Sequence, residues 1–419
     1  MNTKNIFIPG KTYIPVSGKV FDKEEVNNAI KVAEMGWWTE GEFSKQFETE
    51  FKKYLGVRFV SLVNSGSSAN LVALYSLTSS VFGDRALKPG DEFITTSVAF
   101  PTTVNPGVMF GMKPVFIDAE LNTLNIDANK IEKAITKKTK LIMVAHTLGR
   151  PIDLEKITSL CKKYNLWFIE DCCDALGSKY NEKSLGTFGD IATFSFYPAH
   201  QITMGEGGAL VTNNPLIHRS IRQFRDWGRD CWCDTGKDNT CQKRFQWKMG
   251  DLPHGYDHKY IYSQIGFNLK LTDFQAAIGV AQLNKLPGFI KKRQENYNIL
   301  YTFFAQYPQY FYLMEENTIS NISYFGFPLI VRPDAPFSRN ELTEHLEKNN
   351  IGTRNVFSGN LLRHPAYISV KDKIKVVGDH KNADLIMNNA FWLGVWPGIG
   401  FKESRYMIIT IQDFLKNKI

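Results

Sequence analysis

Residues 141–171 read LIMVAHTLGRPIDLEKITSLCKKYNLWFIED, and this stretch decides the fold. Short apolar runs stand at both ends, at 141–145 and 166–170, and each predicts a short strand. Between them, residues 153–164 have the spacing of an amphipathic helix. A strand, a helix and a second strand in this order predict two parallel strands with the helix packed across them.

The same alternation continues on both sides of this stretch, where further apolar runs predict strands and helical patterns lie between several of them. The further predicted strands are 59–64, 92–95, 113–117, 191–195 and 208–212, and the further predicted helices are 23–35 with Asp22 as its cap, 43–55, 67–76, 127–135 and a long helix from Thr272. This pattern predicts an α/β protein with a mostly parallel sheet covered by helices on both faces.

The chain of 419 residues is long enough for two to three domains. We predict an N-terminal arm at residues 1–30, a large domain at 31–285 and a smaller C-terminal α+β domain at 286–419, with a strand near 325–331. The segment 217–262 breaks the alternation and is rich in Trp, Cys, Gly, Asp and Lys. It predicts a Cys-rich insertion with little regular structure.

Composition and charge argue against several classes of protein. The net charge of +8 is mild and the charges form no long block, so nucleic acid is not a predicted partner. The first residues lack the pattern of a secretion signal, and no apolar stretch approaches the roughly 18 residues of a membrane span, so we expect a cytoplasmic protein. Six cysteines in such a chain predict buried thiols, redox groups or metal ligands rather than structural disulfides.

Four motifs fall where strands end, which is where open α/β sheets bind ligands. Residues 64–70 (NSGSSAN) join a strand to a helix, and they form either a phosphate cradle of backbone amides or a plain turn with a serine cap. Residues 168–171 (FIED) end a strand in two acids, which can pair with a protonated pyridine nitrogen or simply cap a helix. The other two motifs are residues 193–200 (TFSFYPAH) with 205–208 (GEGG), and residues 266–273 (GFNLKLTD).

In this order and spacing, the four motifs resemble the DegT/DnrJ/EryC1/StrS family, the sugar-modifying branch of the fold-type-I pyridoxal-phosphate enzymes. The resemblance covers nearly the whole chain from residue 36 and implies a fold-type-I large domain. It also implies a homodimer, because Asn268 would reach the cofactor phosphate of the neighbouring subunit. The other implied cofactor-binding residues are Gly66, Ser67 and Ser195 at the phosphate, Asp171 at the pyridine nitrogen, Phe100 on the ring and Asp174 beside the cofactor.

His200 stands where most members of this family have the lysine that forms a Schiff base with the cofactor. An imidazole cannot form that bond, so we expect pyridoxamine phosphate held noncovalently, with an amine that condenses with a ketone of the substrate. Imidazoles titrate near neutral pH and suit general acid–base catalysis. His200 would take a proton from the cofactor while the C3 hydroxyl of a sugar leaves, which predicts a 3-dehydratase. The alternatives are an inactive family member, or a histidine whose hydrogen bonds are satisfied in the core.

Four of the six cysteines, Cys173, Cys231, Cys233 and Cys241, have the spacing C-x57-C-x-C-x7-C. Four thiolates suit a [2Fe–2S] cluster and also suit zinc, so spacing alone leaves zinc and free thiols open. Within the resemblance, this spacing is typical of 3-dehydratases that carry a [2Fe–2S] cluster. The resemblance also favours a CDP-linked 4-keto-6-deoxyhexose as the substrate, with a TDP-linked sugar as the alternative. The resemblance also implies a separate NADH-dependent iron–sulfur flavoprotein reductase as the electron donor, and a 3,6-dideoxy sugar for a surface polysaccharide such as O-antigen.

Four further residues are candidates for substrate contacts. Trp37 and Thr39 lie in residues 36–41 (GWWTEG), which resemble a family segment near the substrate. Tyr197 lies three residues before His200, and Arg354 would neutralise a diphosphate. Packed aromatic rings and a solvated charge are the alternatives. For the whole chain, the rivals of the [2Fe–2S]-dependent 3-dehydratase are a metal-free 3-dehydratase or sugar aminotransferase, and a noncatalytic zinc-binding family member.

Overall fold

The structure is a computed structural model of the chain and describes residues 7–315 and 320–418. The strands are β1 (Phe59–Val63), β2 (Glu92–Thr96), β3 (Lys113–Ile117), β4 (Thr139–Ala145), β5 (Trp167–Asp171), β6 (Lys179–Tyr180), β7 (Lys183–Ser184), β8 (Ile191–Ser195), β9 (Gly208–Thr212), β10 (Phe311–Tyr312), β11 (Ser320–Asn321), β12 (Gly326–Val331), β13 (Thr353–Arg354), β14 (Lys375–Val377) and β15 (Ala390–Gly394). The helices are α1 (Lys23–Met35), α2 (Glu42–Leu55), α3 (Gly66–Ser76), α4 (Pro101–Phe110), α5 (Ile131–Ala134), α6 (Leu154–Tyr164), α7 (Pro215–Arg225), α8 (Asp273–Phe304), α9 (Arg339–Lys348), α10 (Pro365–Ile368), α11 (Lys381–Asn389) and α12 (Phe401–Lys416).

The large sheet confirms the predicted mostly parallel α/β architecture. Its strand order is β1-β9-β8-β5-β4-β2-β3-β14, and β9 is the one strand among them that runs antiparallel to its neighbours. Strand β4 shows why its sequence is continuously apolar: Ile142 and Val144 enter the core on one face of the sheet, while Leu141 and Met143 enter the core on the other. The carboxyl ends of β4, β5 and β8 meet at one edge, as the motifs require.

Two predicted elements are wrong in detail. The predicted helix 127–135 is reduced to a short 3₁₀ turn and the four-residue α5, because Ile135 is extended and the hydroxyl of Thr139 accepts the Thr136 N–H. The segment from 217 was expected to be irregular, but α7 occupies its beginning. Asn214 caps α7, and the helix buries Ile217, Ile221 and Phe224. The irregular segment, which we call the cysteine loop, therefore runs from 226 to 272 with a 3₁₀ turn at His258–Tyr260.

The C-terminal region contains the predicted α+β unit, a four-stranded antiparallel sheet of order β10-β12-β15-β13. The expected boundary between 285 and 286 falls inside α8, which runs unbroken for 32 residues. Strand β14 returns from this region to the edge of the large sheet. The N-terminal arm lies against the C-terminal sheet, where Ile14 pairs with Ile351 and the Trp396 indole donates to the Pro15 carbonyl at 2.8 Å. In the described part of the chain, no helix combines the length and the apolar character needed to cross a bilayer.

Candidate active site

A cleft of about 640 Å³ opens at the carboxyl ends of the central strands, between the large sheet and the C-terminal unit. It gathers most of the residues that the motifs singled out, although they are far apart in the sequence. The predicted residues that line it are Gly66, Ser67, Phe100, Asp171, Cys173, Asp174, Ser195, Tyr197, His200 and Arg354. The cleft is therefore the candidate active site, and the role of each residue stays a prediction.

The phosphate cradle is built where α3 starts against the end of β8. Ser65 caps α3 by accepting the Ser68 N–H at 3.1 Å, so the amides of the first turn are presented to the cleft. A Cβ on Gly66 would lie 2.5 Å from Ser195 Cβ and 3.0 Å from Cys173 Sγ, which leaves room only for glycine. Helix N-termini attract anions, and Ser195 adds a hydroxyl beside them. The geometry fits a phosphate group.

Asp171 is a buried carboxylate at the end of β5, 4% exposed. Its Oδ2 accepts from Asn70 Nδ2 at 2.8 Å and from Thr103 Oγ1 at 2.7 Å, while its Oδ1 accepts the Cys173 N–H at 3.1 Å. None of these three donors carries a positive charge. A fixed carboxylate with neutral partners in a cleft fits a protonated pyridine nitrogen.

Sequence reasoning missed the residues that hold Asp171 in place. Asn70 stands in the NSGSSAN motif, and its carbonyl oxygen accepts from the Thr193 hydroxyl at 2.6 Å. Thr103 lies one turn into α4, and its hydroxyl is fully buried. The only signal in the sequence was that Asn70 lies in the NSGSSAN motif. The contact between Asn70 and Asp171, which are 101 residues apart, depends on the order of the strands in the sheet.

His200 lies in the cleft with Asp174 beside it: His200 Nδ1 is 3.4 Å from Asp174 Oδ1. Burial raises the pKa of Asp174, and the neighbouring His200 opposes that shift. Arg293 holds the backbone by donating to the His200 carbonyl at 2.9 Å. The two side chains lie close enough for an ion pair, but His200 Nδ1 has no hydrogen-bond partner among the described residues. The pair therefore has the composition of a general base with its positioning carboxylate.

Aromatic side chains form the walls of the cleft. Phe100 and Tyr197 are about half exposed, at 50% and 51%, although both are large. Phe357, which the sequence did not single out, packs on Phe100 with 6.4 Å between the ring centroids and adopts a positive φ of 45°. Arg354 is exposed in the same wall, and its guanidinium donates to the Thr353 carbonyl at 2.7 Å. Aromatic side chains beside one cationic side chain suit a ligand that carries both a ring and an anionic group.

Trp37 and Thr39 were expected near the substrate, but within one chain they do not line this cleft. Trp37 lines a second cleft of about 670 Å³ between α2, β1 and α7, and Thr39 is exposed. The cause is a buried ion pair. Arg225 on α7 is 2% exposed and donates to the two carboxylate oxygens of Glu40 at 2.6 and 3.0 Å, which fixes residues 36–41 against α7. Asn268 also lies outside the cleft of its own chain, and its role in a neighbouring subunit stays a prediction.

Three of the four predicted cluster ligands lie around one small pocket, although their three sulfur atoms are not all within 4.8 Å of one another. Cys231, Cys233 and Cys241 line one small pocket in the cysteine loop, whereas Cys173 lines the cleft. Burial raises the pKa of Cys233, but hydrogen bonds to its Sγ from the Thr240 hydroxyl at 3.1 Å, from Cys231 and from backbone N–H groups together outweigh this and lower that pKa. Burial and Asp171 raise the pKa of Cys173 well above its usual range.

One compact group of candidate metal ligands occurs elsewhere. Across residues 7–315 and 320–418, the only three ligand atoms of this kind within 4.8 Å of one another belong to His146, Glu170 and Cys172. Glu170 already accepts the N–H groups of Phe188 and Gly189 at 2.7 and 2.6 Å, and His146 Nδ1 accepts the Ile152 N–H. These bonds make the group a structural hydrogen-bond network.

The mixed sheet, its helices on both faces and the cleft at the strand ends define the fold of the fold-type-I pyridoxal-phosphate enzymes. The chain belongs to the DegT/DnrJ/EryC1/StrS aminotransferase family, whose family model matches residues 19–412.

Three relatives show how the similarity is distributed. The lipopolysaccharide biosynthesis protein RfbH of Salmonella typhimurium is 48% identical over 408 residues, 97% of this chain and 93% of that protein. The dTDP-4-dehydro-2,6-dideoxy-D-glucose 3-dehydratase of Saccharopolyspora spinosa is 45% identical over 409 residues, 98% of this chain and 88% of that protein. A solved structure of E. coli GDP-4-keto-6-deoxy-D-mannose-3-dehydratase with bound hydrated PLP is 29% identical, has a TM-score of 0.83, and is matched over 95% of this chain and 99% of that one.

Proposed function

We propose that this chain is a pyridoxamine-phosphate-dependent 3-dehydratase that removes the C3 hydroxyl of a CDP-linked 4-keto-6-deoxyhexose. The observation that carries the proposal is His200 in the cleft, paired with Asp174, where an aminotransferase of this family needs a lysine. Two relatives with high coverage are 3-dehydratases of 4-keto sugars carried on dTDP and GDP, which supports the reaction at C3. CDP as the nucleotide rests on the family resemblance, and a TDP-linked sugar is the alternative.

The cleft residues fit pyridoxamine phosphate without a covalent link. The first turn of α3 at Gly66, together with Ser195, would hold the phosphate, Asp171 the pyridine nitrogen, and Phe100 the face of the ring. When bound, pyridoxamine phosphate supplies an amine that condenses with the sugar ketone and a ring that accepts electrons. Because His200 cannot bond to the cofactor covalently, these noncovalent contacts must provide all of the binding energy.

His200 would do the proton work of the reaction. Its imidazole would take up a proton in the cleft when the cofactor and the sugar are bound, and would deliver a proton to the C3 hydroxyl, which could then leave as water. Asp174, whose Oδ1 lies 3.4 Å from His200 Nδ1, would balance the positive charge that His200 gains. Tyr197 and Arg354 face the same cleft and would contact the sugar and the diphosphate, respectively.

The proposal includes a [2Fe–2S] cluster at the cysteine loop and a homodimer. Three thiols in one pocket suit such a cluster, but Cys173 does not join them within a single chain, so the four-cysteine set is incomplete there. A bound cluster supplies single electrons. An NADH-dependent iron–sulfur flavoprotein reductase would deliver them, and the product would be a 3,6-dideoxy sugar made in the cytoplasm.

The test is product analysis with a CDP-linked 4-keto-6-deoxyhexose, pyridoxamine phosphate, reductase and NADH. We expect the wild-type protein to release a sugar without its C3 oxygen. His200→Asn should keep the absorbance of bound cofactor and lose the reaction. A sugar that gains an amino group from glutamate and keeps its C3 oxygen would identify an aminotransferase instead. Absence of cofactor binding, together with bound zinc, would identify the noncatalytic alternative.

A further inference from the structure

The second cleft, of about 670 Å³, lies at the edge of the large sheet and is lined by residues of α2, β1, α7 and the cysteine loop. It shares no lining residue with the active-site cleft. Arg58 and Phe59, which line it, stand at the start of β1, at the end of the strand opposite the active site. Ligand pockets commonly have volumes of roughly 300–1,000 Å³, so this cleft is large enough for a small molecule. We call it the basic cleft, and its lysine and arginine side chains are Lys45, Lys52, Arg58, Arg222, Arg225 and Lys237.

The acidic side chains of the basic cleft do not balance these cations. Arg225 is already neutralised by Glu40, to which it donates twice. Without this pair, five lysine and arginine side chains face three acidic ones, and the acidic ones are Glu42, Glu48 and Asp234. Burial raises the pKa of Glu48 to about 7, so this carboxyl group is partly protonated near neutral pH. In the part of the chain that the structure describes, Lys52, Arg58 and Lys237 form no ion pair.

Asp234 shows where the cations of the two helical walls converge. Lys45 on α2 lies 3.0 Å from its Oδ2, and Arg222 on α7 lies 3.8 Å from its Oδ1. The Asp234 side chain is 48% exposed, and ion pairs as exposed as this contribute less than about 1 kcal/mol. A carboxylate from the cysteine loop therefore occupies the place between α2 and α7 that suits an anion, and a ligand with more charge can displace it.

Two polar side chains that line the basic cleft lack partners. Ser61 is 1% exposed, and its buried hydroxyl has no hydrogen-bond partner among the described residues. His218 stacks on Phe59 with 4.6 Å between the ring centroids. Burial, together with neighbouring cations, lowers the pKa of His218 to about 4, so its imidazole is neutral near neutral pH. A hydroxyl and a neutral imidazole can each donate a hydrogen bond to an anionic oxygen.

We propose that the basic cleft is a second binding site, which takes a diphosphate group between Lys45 and Arg222 in the place of the Asp234 carboxylate. A diphosphate presents oxygen atoms on two phosphorus centres, so it can contact cations on α2, α7 and β1 at once, and guanidinium groups pair well with phosphate. The inference goes beyond the proposed function and does not depend on it. Free diphosphate and a nucleoside diphosphate are the two sources of this group.

The test is calorimetric titration of the full chain with sodium diphosphate at low ionic strength. Pyridoxamine phosphate is kept at a saturating concentration, so that the phosphate cradle at Gly66 stays occupied. We expect one diphosphate site per chain, with an affinity that falls as salt is added. Arg222→Gln and Arg58→Gln should each weaken binding about tenfold, because each removes a charge-assisted hydrogen bond. Asp234→Asn should bind diphosphate about two- to fivefold more tightly, because the competing carboxylate is gone.

Arg354→Gln is the matched control, because Arg354 lines the active-site cleft and not the basic cleft. We expect this variant to keep the wild-type affinity for diphosphate. Binding that Arg222→Gln and Arg58→Gln leave unchanged, or no binding at low ionic strength, would overturn the proposal and leave the 3-dehydratase intact. A titration with CDP separates the two sources. Tighter binding of CDP that Arg222→Gln weakens would identify a nucleoside diphosphate as the ligand, and tighter binding of diphosphate would identify the free anion.

Discussion

Asp171→Asn tests the cofactor site through the three donors that converge on one carboxylate. Two of them, Asn70 Nδ2 and Thr103 Oγ1, point at Oδ2, and the Cys173 N–H points at Oδ1. An asparagine at 171 must turn its NH₂ group either toward Asn70 and Thr103 or toward the Cys173 N–H. The backbone N–H cannot move, so the NH₂ would face Asn70, which has to flip and give up its bond from Thr193.

The cost follows from these contacts. One buried donor left without an acceptor costs about 1–3 kcal/mol, so urea unfolding of the cofactor-free variant should show that loss of stability. Hydrogen bonds to charged groups contribute about 1.5–3 kcal/mol, so losing the carboxylate should weaken pyridoxamine phosphate binding roughly 10- to 100-fold. Fluorescence titration with pyridoxamine phosphate measures this second effect.

Asp190→Asn is the matched control. Its Oδ2 accepts one backbone N–H, from Phe168 at 2.9 Å, and an amide oxygen can keep that bond. We expect Asp190→Asn to change stability by less than about 1 kcal/mol and to leave cofactor affinity unchanged. Equal stability and equal affinity in wild type and Asp171→Asn would refute the assignment of Asp171 to the pyridine nitrogen.

Three further outcomes follow from the geometry. Gly66→Ala places a methyl group 2.5 Å from Ser195 Cβ, so we expect about 1–3 kcal/mol lower stability and at least roughly tenfold weaker pyridoxamine phosphate binding in thermal unfolding and titration. Asp174→Asn should slow dehydration about 100-fold in single-turnover assays at saturating pyridoxamine phosphate, whereas an unchanged rate would exclude Asp174 as the positioning residue. Burial raises the pKa of Glu48 from 4.5 to about 7, so the folded protein retains a proton that the unfolded chain has lost, and wild-type stability falls as pH rises through that window. Near pH 4.5 the free energy of unfolding of Glu48→Gln, measured in urea, should therefore equal that of the wild type. Above about pH 7.5 it should exceed the wild-type value by about 1–3 kcal/mol. An equal difference between the two proteins at low and high pH would contradict this.

The strands of the large sheet were predictable because parallel strands buried on both faces are continuously apolar. The same physics made the cleft predictable: motifs at the ends of β5 and β8 and at the start of α3 must converge once their strands are neighbours. Helix α7 was missed because the composition of 217–262 hid the apolar spacing of Ile217, Ile221 and Phe224.

Other features depend on tertiary contacts that no local pattern encodes. Asn70 meets Asp171 only through the strand order, and Arg225 draws Glu40, and with it Trp37, away from the cleft. Asp234 reaches Lys45 and Arg222 from a segment without helices or strands, so neither periodicity nor spacing relates them.

The central claim is cleavage of the C3–oxygen bond with His200 as the proton carrier. Exchange of the sugar C3 oxygen with oxygen-18 water tests it most directly, since it needs pyridoxamine phosphate and substrate but no reductase or cluster. Carbon NMR should show oxygen-18 at C3 with wild-type protein and none with His200→Asn. A C3 oxygen that keeps its original isotope while C4 gains an amino group would contradict the account.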